Sequence, residues 1–204
     1  MTKLYVVFVL FVLACNTAFA ENSLNSGVDF AGFYGDEDYV SIATGTTQPI
    51  AKAPAVASVI TASQIRAMGA RDIDQVLESV PGLHISLSAI YNPEYLFRGI
   101  SSDFSPQVLM LINGIPITNL FQGDRNLVWG GMPVEAISRI EVIRGPGSAL
   151  YGADAFAGVI NIVTKSPDEV KRNSAGVRVG SFDTTDVWFT GAGEKGGLGY
   201  MGSI

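Results

Sequence analysis

The sequence holds one cysteine and one histidine in 204 residues, Cys15 and His84. A lone cysteine closes no internal disulfide, and the two together cannot assemble a zinc site of the usual Cys and His composition. His84 alternates with Leu83, Ile85 and Leu87, so it falls on the polar face of a strand and reads as an ordinary surface contact, not as half of a catalytic dyad. Charge is also scarce, at 16% of residues, and the net value of −6 lacks the basic surplus that binding to nucleic acid requires. The longest apolar run is shorter than the ~20 residues of a spanning helix.

Three glycine-dependent chemistries fail at single positions. A dinucleotide fingerprint starting at Gly145 needs glycine where Leu150 stands, and a phosphate loop over Gly147 to Gly152 needs lysine where Ala153 stands. A nucleophile elbow fails around Ser148 at Pro146 and around Ser101 at Asp103. These failures weigh against a secreted hydrolase and against nucleotide binding, and no metal or cofactor site is read from the residues.

What is present begins with Lys3, the apolar run Leu4 to Ala14 and the small residues Ala18 and Ala20, which are the three parts of a secretory signal. Cleavage is expected after Ala20, leaving Glu21 first; lipidation at Cys15 and an uncleaved membrane anchor are the competing readings. Residues 21–54 are polar, acidic at Asp36, Glu37 and Asp38, and without sustained period, which suits a flexible segment. Within it Tyr39, Val40, Ser41, Ile42 and Ala43 form a short extended-prone run, able to add as a strand to a partner's sheet edge or merely a chance apolar patch in a linker.

The next hundred residues have the length and patterning of one domain. Val56 to Ile60 reads as a strand, and Thr61-x-x-Gln64 and Asp72-x-x-Gln75 read as capping boxes opening two helices. Ile73, Val76, Leu77 and Val80 make one apolar stripe, stopped by Pro81-Gly82. Leu83 to Leu87 and Tyr95 to Arg98 flank a turn over Ala89 to Glu94 that carries Tyr91, Asn92 and Glu94. Val108 to Ile112 is a buried-type strand, and Asn113-Gly114 signals a hairpin into Ile115 to Ile117. The loop Asn119 to Trp129 mixes Phe121 with Gln122, Asp124 and Arg125, a blend that suits ligand contact as well as simple packing of the loop. Pro133 is expected to open a short helix through Ile137.

The densest pattern is Arg139 to Lys165. Ile140 and Val142 alternate with Arg139 and Glu141, Gly145-Pro146-Gly147 stops that strand, and Ser148 can cap one helical turn ended by Gly152. Val159 to Val163 is a nearly continuous apolar run suited to a strand covered on both faces.

The words RIEVIRGPGSALYG and AGVINIVTK, preceded in order by VASVITASQIRAMGARDIDQVLESVPGLHI, FRGI and VLMLINGIPI, resemble the plug domain of TonB-dependent outer-membrane transporters across Val56 to Lys165. The resemblance implies an α+β plug with a small mixed β-sheet and short helices. It implies energy-coupled uptake of a scarce nutrient such as a ferric siderophore, haem or cobalamin, with TonB as partner and no enzymatic step. Tyr39, Val40, Ser41, Ile42 and Ala43 then match the TonB box. Tyr91, Asn92, Glu94, Phe121, Gln122, Asp124 and Arg125 fall on the outward-facing apices that meet cargo, and Arg98 and Arg144 resemble the plug arginines that meet barrel carboxylates.

After Pro167 the short alternating stretches Ala175 to Phe182, Val187 to Gly193 and Leu198 to Ile204 look like the first antiparallel strands of a transmembrane barrel. The expected organisation is signal peptide 1–20, flexible segment with TonB box 21–54, plug 55–166 and an incomplete barrel 167–204. That organisation puts the protein in the outer membrane with its N-terminus in the periplasm. The alternative is a soluble periplasmic binding or regulatory module made of the plug alone.

Overall fold

Residue Arg139 does start a strand pattern, but the strand it belongs to opens two residues earlier, at Ile137. The computed structural model describes residues 39–40, 48–49, 56–89, 91–119, 132–170, 173–180 and 185–204, all within one compact unit, Asp38–Ile204. The signal segment 1–20, most of 21–54, and Phe121, Gln122, Asp124 and Arg125 lie outside the described residues.

Five strands form the central mixed sheet: β3 (Ala57–Thr61), β6 (Val108–Ile112), β7 (Ile115–Pro116), β8 (Ile137–Arg144) and β9 (Gly158–Thr164), in the order β3-β8-β9-β6-β7. The β6–β9 pair is parallel and every other pairing is antiparallel. β1 (Tyr39–Val40) and β2 (Gln48–Pro49) pair with each other, as do β4 (Leu83–Leu87) and β5 (Pro93–Phe97). A separate antiparallel meander contains β10 (Ser174–Val179), β11 (Thr185–Lys195) and β12 (Leu198–Ser203).

Local chemistry explains the elements. Helix α1 (Ala62–Met68) starts with a complete capping box: the Thr61 N–H donates to Gln64 Oε1 at 2.8 Å, and the Gln64 N–H donates to Thr61 Oγ1 at 3.4 Å. Helix α2 (Ile73–Leu77) has a shifted version, because Gln75 accepts from the Arg71 N–H at 3.0 Å while the Gln75 N–H donates to Asp72. Ile73, Val76, Leu77 and Val80 are all buried, as the stripe requires.

At the hairpin tip Asn113 and Gly114 both have positive φ, 51° and 80°, the backbone of the tight turn that Asn-Gly favours. Asn113 then clamps the end of β9, accepting from the Thr164 N–H and donating to Thr164 Oγ1, both at 2.9 Å. After β8, Gly147 is held by its N–H to Ala155 O at 2.8 Å, and a Cβ there would lie 2.5 Å from Val159 Cγ2. Only glycine permits that approach. Ser148 is the first residue of the short helix α3 (Ser148–Tyr151), and Gly147 occupies the capping position expected of it. Pro133 leads into a 3-10 turn, Val134–Ala136, and not into a helix reaching Ile137.

The sheet buries both faces. Ile60, Val108, Met110, Ile140, Val142, Ile160 and Ile162 pack beneath the helices and the β4–β5 hairpin, whereas Leu109, Leu111, Ile143, Ala155 and Val159 form a second cluster opposite. Two-sided burial is why β6 reads as an unbroken apolar run and β9 as a nearly continuous one, interrupted by the buried Asn161.

His84 Nδ1 lies 2.5 Å from Glu78 Oε1, and Glu78 Oε2 accepts from the Ile85 N–H at 2.7 Å. These bonds, the His84 contact first, hold the Glu78 carboxyl below its ordinary value. A carboxyl depressed in the folded state contributes stability above its unfolded value that is lost as pH falls through the folded one. Acidification below the ordinary carboxylate range is therefore expected to loosen the start of β4, seen as faster amide exchange at Ile85, and Glu78→Gln should remove that pH dependence.

Candidate functional site

Three surfaces carry the candidate residues: the β4–β5 apex, the turn at Pro81-Gly82, and the junction between the sheet and the β10–β12 meander.

At the apex the chain turns between β4 and β5 with the Tyr91 N–H donating to Ser88 O and the Ser88 N–H donating to Asn92 O, both at 2.9 Å. Tyr91 takes φ 60° and is 81% exposed, an aromatic ring held out on a braced turn. Asn92 is buried, its N–H donates to Ser88 Oγ at 3.0 Å, and its Oδ1 has no hydrogen-bond partner among the described residues. Glu94 lies on β5, half-buried, opposite Ser86. The sequence pattern marked these three as one group, and the structure divides them into one displayed ring and two residues that shape its turn.

Arg98 and Arg144 are 46 positions apart in sequence, and the fold brings both to one turn. Arg98, the last residue of the expected strand, instead follows β5, which ends at Phe97; it takes φ 51°, and its N–H donates to Gly82 O at 2.9 Å. Arg144 ends β8 and donates from a guanidinium nitrogen to Pro81 O at 2.9 Å, while its buried Nε has no partner among the described residues. Neither arginine has a carboxylate within ion-pair distance among the described residues. Two cations beside one turn with an unmatched buried donor form a surface that carboxylates would complete.

The meander separates its side chains by polarity. Val177, Val179, Val187, Phe189, Leu198 and Tyr200 are exposed on one face, while Arg178, Asp186, Trp188 and Thr190 occupy the other. Glu135, in the 3-10 turn before β8, forms an ion pair with Arg178, which also donates to Asp186 at 2.9 Å. Lys165, just past β9, donates to Glu135 O at 2.7 Å. These contacts tie the meander's polar face to the central sheet. Glu135 and Arg178 carry no sequence signal, since each is an isolated charge without motif, and Lys165 reads only as the end of the AGVINIVTK word, with no contact assigned to it.

Tyr39 and Val40 of the expected TonB box form β1, opposite Pro49 and Gln48. Ser41, Ile42 and Ala43 lie outside the described residues.

A small mixed sheet beneath short helices, joined to antiparallel strands that are apolar outside and polar toward the sheet, defines a plug domain leading into a membrane barrel. The family model described as TonB-dependent Receptor Plug Domain matches residues 49–159, and the chain belongs to that family. Over 153 residues the chain is 35% identical to the vitamin B12 transporter BtuB of Vibrio vulnificus, covering 71% of this chain and 24% of that protein. It is 38% identical over 140 residues to an iron-regulated outer membrane virulence protein of Vibrio cholerae, covering 66% of this chain and 21% of that one. The chain thus spans about a fifth to a quarter of the length of these relatives. Among solved structures it superposes on the ferric yersiniabactin uptake receptor FyuA from Yersinia pestis with a TM-score of 0.54 at 27% identity, over 69% of this chain and 22% of that one. The pyoverdine receptor FpvA of Pseudomonas aeruginosa gives a TM-score of 0.61 at 24% identity, over 76% and 22%, a likeness of fold.

Proposed function

We propose that this chain is the gating part of an outer-membrane receptor that imports a scarce nutrient, a ferric siderophore, haem or cobalamin, driven through TonB. The supporting observation is the continuity of plug and wall: the chain passes from β9 into a separate meander whose exposed face is apolar and whose inner face is ion-paired to the plug. Such a face suits lipid and is costly in water, so a soluble periplasmic module is not favoured. In this reading the N-terminal segment lies in the periplasm, where Tyr39 to Ala43 meets TonB, and cargo binds on the opposite side at Tyr91, on the turn that Asn92 and Glu94 shape, and at the Phe121 to Arg125 loop. Arg98 and Arg144 face wall carboxylates. Cargo is bound and released without bond making or breaking, so no enzymatic step is involved.

The test is binding and uptake by cells carrying the full-length receptor, assayed with a panel of ferric siderophores, haem and cobalamin. One cargo is expected to be taken up only when TonB is present, and TonB-independent entry of every cargo would refute the coupling. On that cargo, Tyr91→Ala and Phe121→Ala are each expected to weaken binding at least ~10-fold, the effect of losing ~1.4 kcal/mol, with normal amounts of receptor in the membrane. Unchanged affinity in both would place the cargo elsewhere.

A further inference from the structure

Between helix α1 and the polar face of β10–β11 lies a cavity of about 490 Å³. Its lining joins the plug to the wall: Arg66 from α1, Glu135, Lys165, Ser174 and Arg178 from β10, and Trp188 from β11.

The charges around it do not balance. Glu135 supplies the lining carboxylate, and Arg178 engages it while also holding Asp186. Lys165 directs its ammonium to a neutral carbonyl, Glu135 O. Arg66 is exposed and has no ion pair among the described residues. Among the described residues neither Arg66 nor Lys165 has a carboxylate in ion-pair contact, and Ser174 and Trp188 add a hydroxyl and an indole N–H that can donate. Burial first, and the charge of Arg66 second, hold the Lys165 amine below its ordinary value against the smaller opposing charges of Glu135 and Glu169, as expected for two cations that feel each other across a partly dry gap.

We propose that this cleft is an anion site, in which Arg66 and Lys165 hold one carboxylate or phosphate group between the plug and the first strands of the wall. A guanidinium presents paired N–H donors that match two oxygens of such a group, and a lysine ammonium adds a point charge beside it. The anion is either a free solute or a carboxylate side chain of the receptor's own wall. The cleft's chemistry is independent of which nutrient is imported.

The experiment uses the full-length receptor in detergent micelles, titrated with inorganic phosphate by calorimetry at constant ionic strength and unfolded thermally in parallel. If the anion is a free solute, phosphate binds saturably, and Arg66→Gln and Lys165→Gln each weaken it at least ~10-fold, since a lost charge-assisted hydrogen bond is worth ~1.5–3 kcal/mol. If the anion belongs to the wall, phosphate does not bind, Arg66→Gln lowers the unfolding temperature, and Arg66→Lys, which keeps the charge, recovers most of the loss. Lys165→Gln alone decides nothing in that arm, because it also removes the bond to Glu135 O, so the decision rests on the two Arg66 variants. Phosphate binding that survives both glutamine variants overturns the assignment. So does a receptor that binds no phosphate and unfolds at the same temperature with Arg66→Gln.

Discussion

Val40→Pro and Ile42→Pro, each placed in the full-length receptor, are expected to abolish energised uptake while leaving cargo binding intact. Strand addition to a partner draws its affinity largely from main-chain hydrogen bonds, which most side-chain changes spare. Proline removes a backbone donor and fixes φ, so it strikes the interaction that alanine leaves in place. Tyr39 and Val40 already have strand geometry, paired in register with Pro49 and Gln48, so the segment can adopt the extended backbone that such pairing uses. Val40→Pro also breaks that local pair; Val40→Ala does not and should keep most of the uptake. Residues 21–54 read as a flexible segment ahead of the plug, so assembly and cargo affinity are expected to survive. Binding and uptake measured side by side on the same cells decide the matter. Energised uptake retained by both proline variants would remove Tyr39 to Ala43 as the coupling segment.

Glu141→Ala is expected to destabilise the central sheet by about 3 kcal/mol, the lower end for breaking a buried ion pair from one side. Glu141 is fully buried in β8, opposite Val59 on one neighbour and Asn161 on the other, and it accepts from Arg139 Nε at 2.8 Å. By strand period it shares a face with Ile143, among the apolar residues of the second cluster. Its charge is felt there: burial first and Glu141 second push the Tyr151 hydroxyl above its ordinary value. Alanine would leave the Arg139 guanidinium, only 29% exposed, beside apolar neighbours without that carboxylate. In hydrogen exchange on the full-length receptor, β8 and β9 amides that open with the sheet should exchange about a hundredfold faster, the factor that ~3 kcal/mol sets. Replacing both partners by apolar residues of similar volume, Arg139→Met with Glu141→Leu, should recover most of the loss, because no charge is then left buried alone. Equal exchange in wild type and Glu141→Ala would show that the pair contributes nothing to the sheet.

The chain's local patterns were legible because each depends on neighbours within a few residues. Thr61 and Gln64 close a capping box across one turn, Asn113-Gly114 dictates its own dihedral angles, and the apolar run Val159 to Val163 announces a strand covered on both sides. The alternation of Val177 with Arg178 and of Val187 with Asp186 likewise survives in the meander, since side-chain direction in a strand follows from period two alone. Order, register and convergence depend on pairings between distant segments, and no local spacing encodes those. Only the folded sheet sets β9 between β8 and β6 and so makes one of its pairings parallel. The same long-range closure carries Arg98 and Arg144 to the Pro81-Gly82 turn and turns Asn92 inward beneath Tyr91. It also sets Glu135 against Arg178 across the junction of plug and wall. An isolated charge in sequence has no preferred partner until burial removes water and leaves one counter-charge within reach, which is why that contact belongs to the tertiary structure.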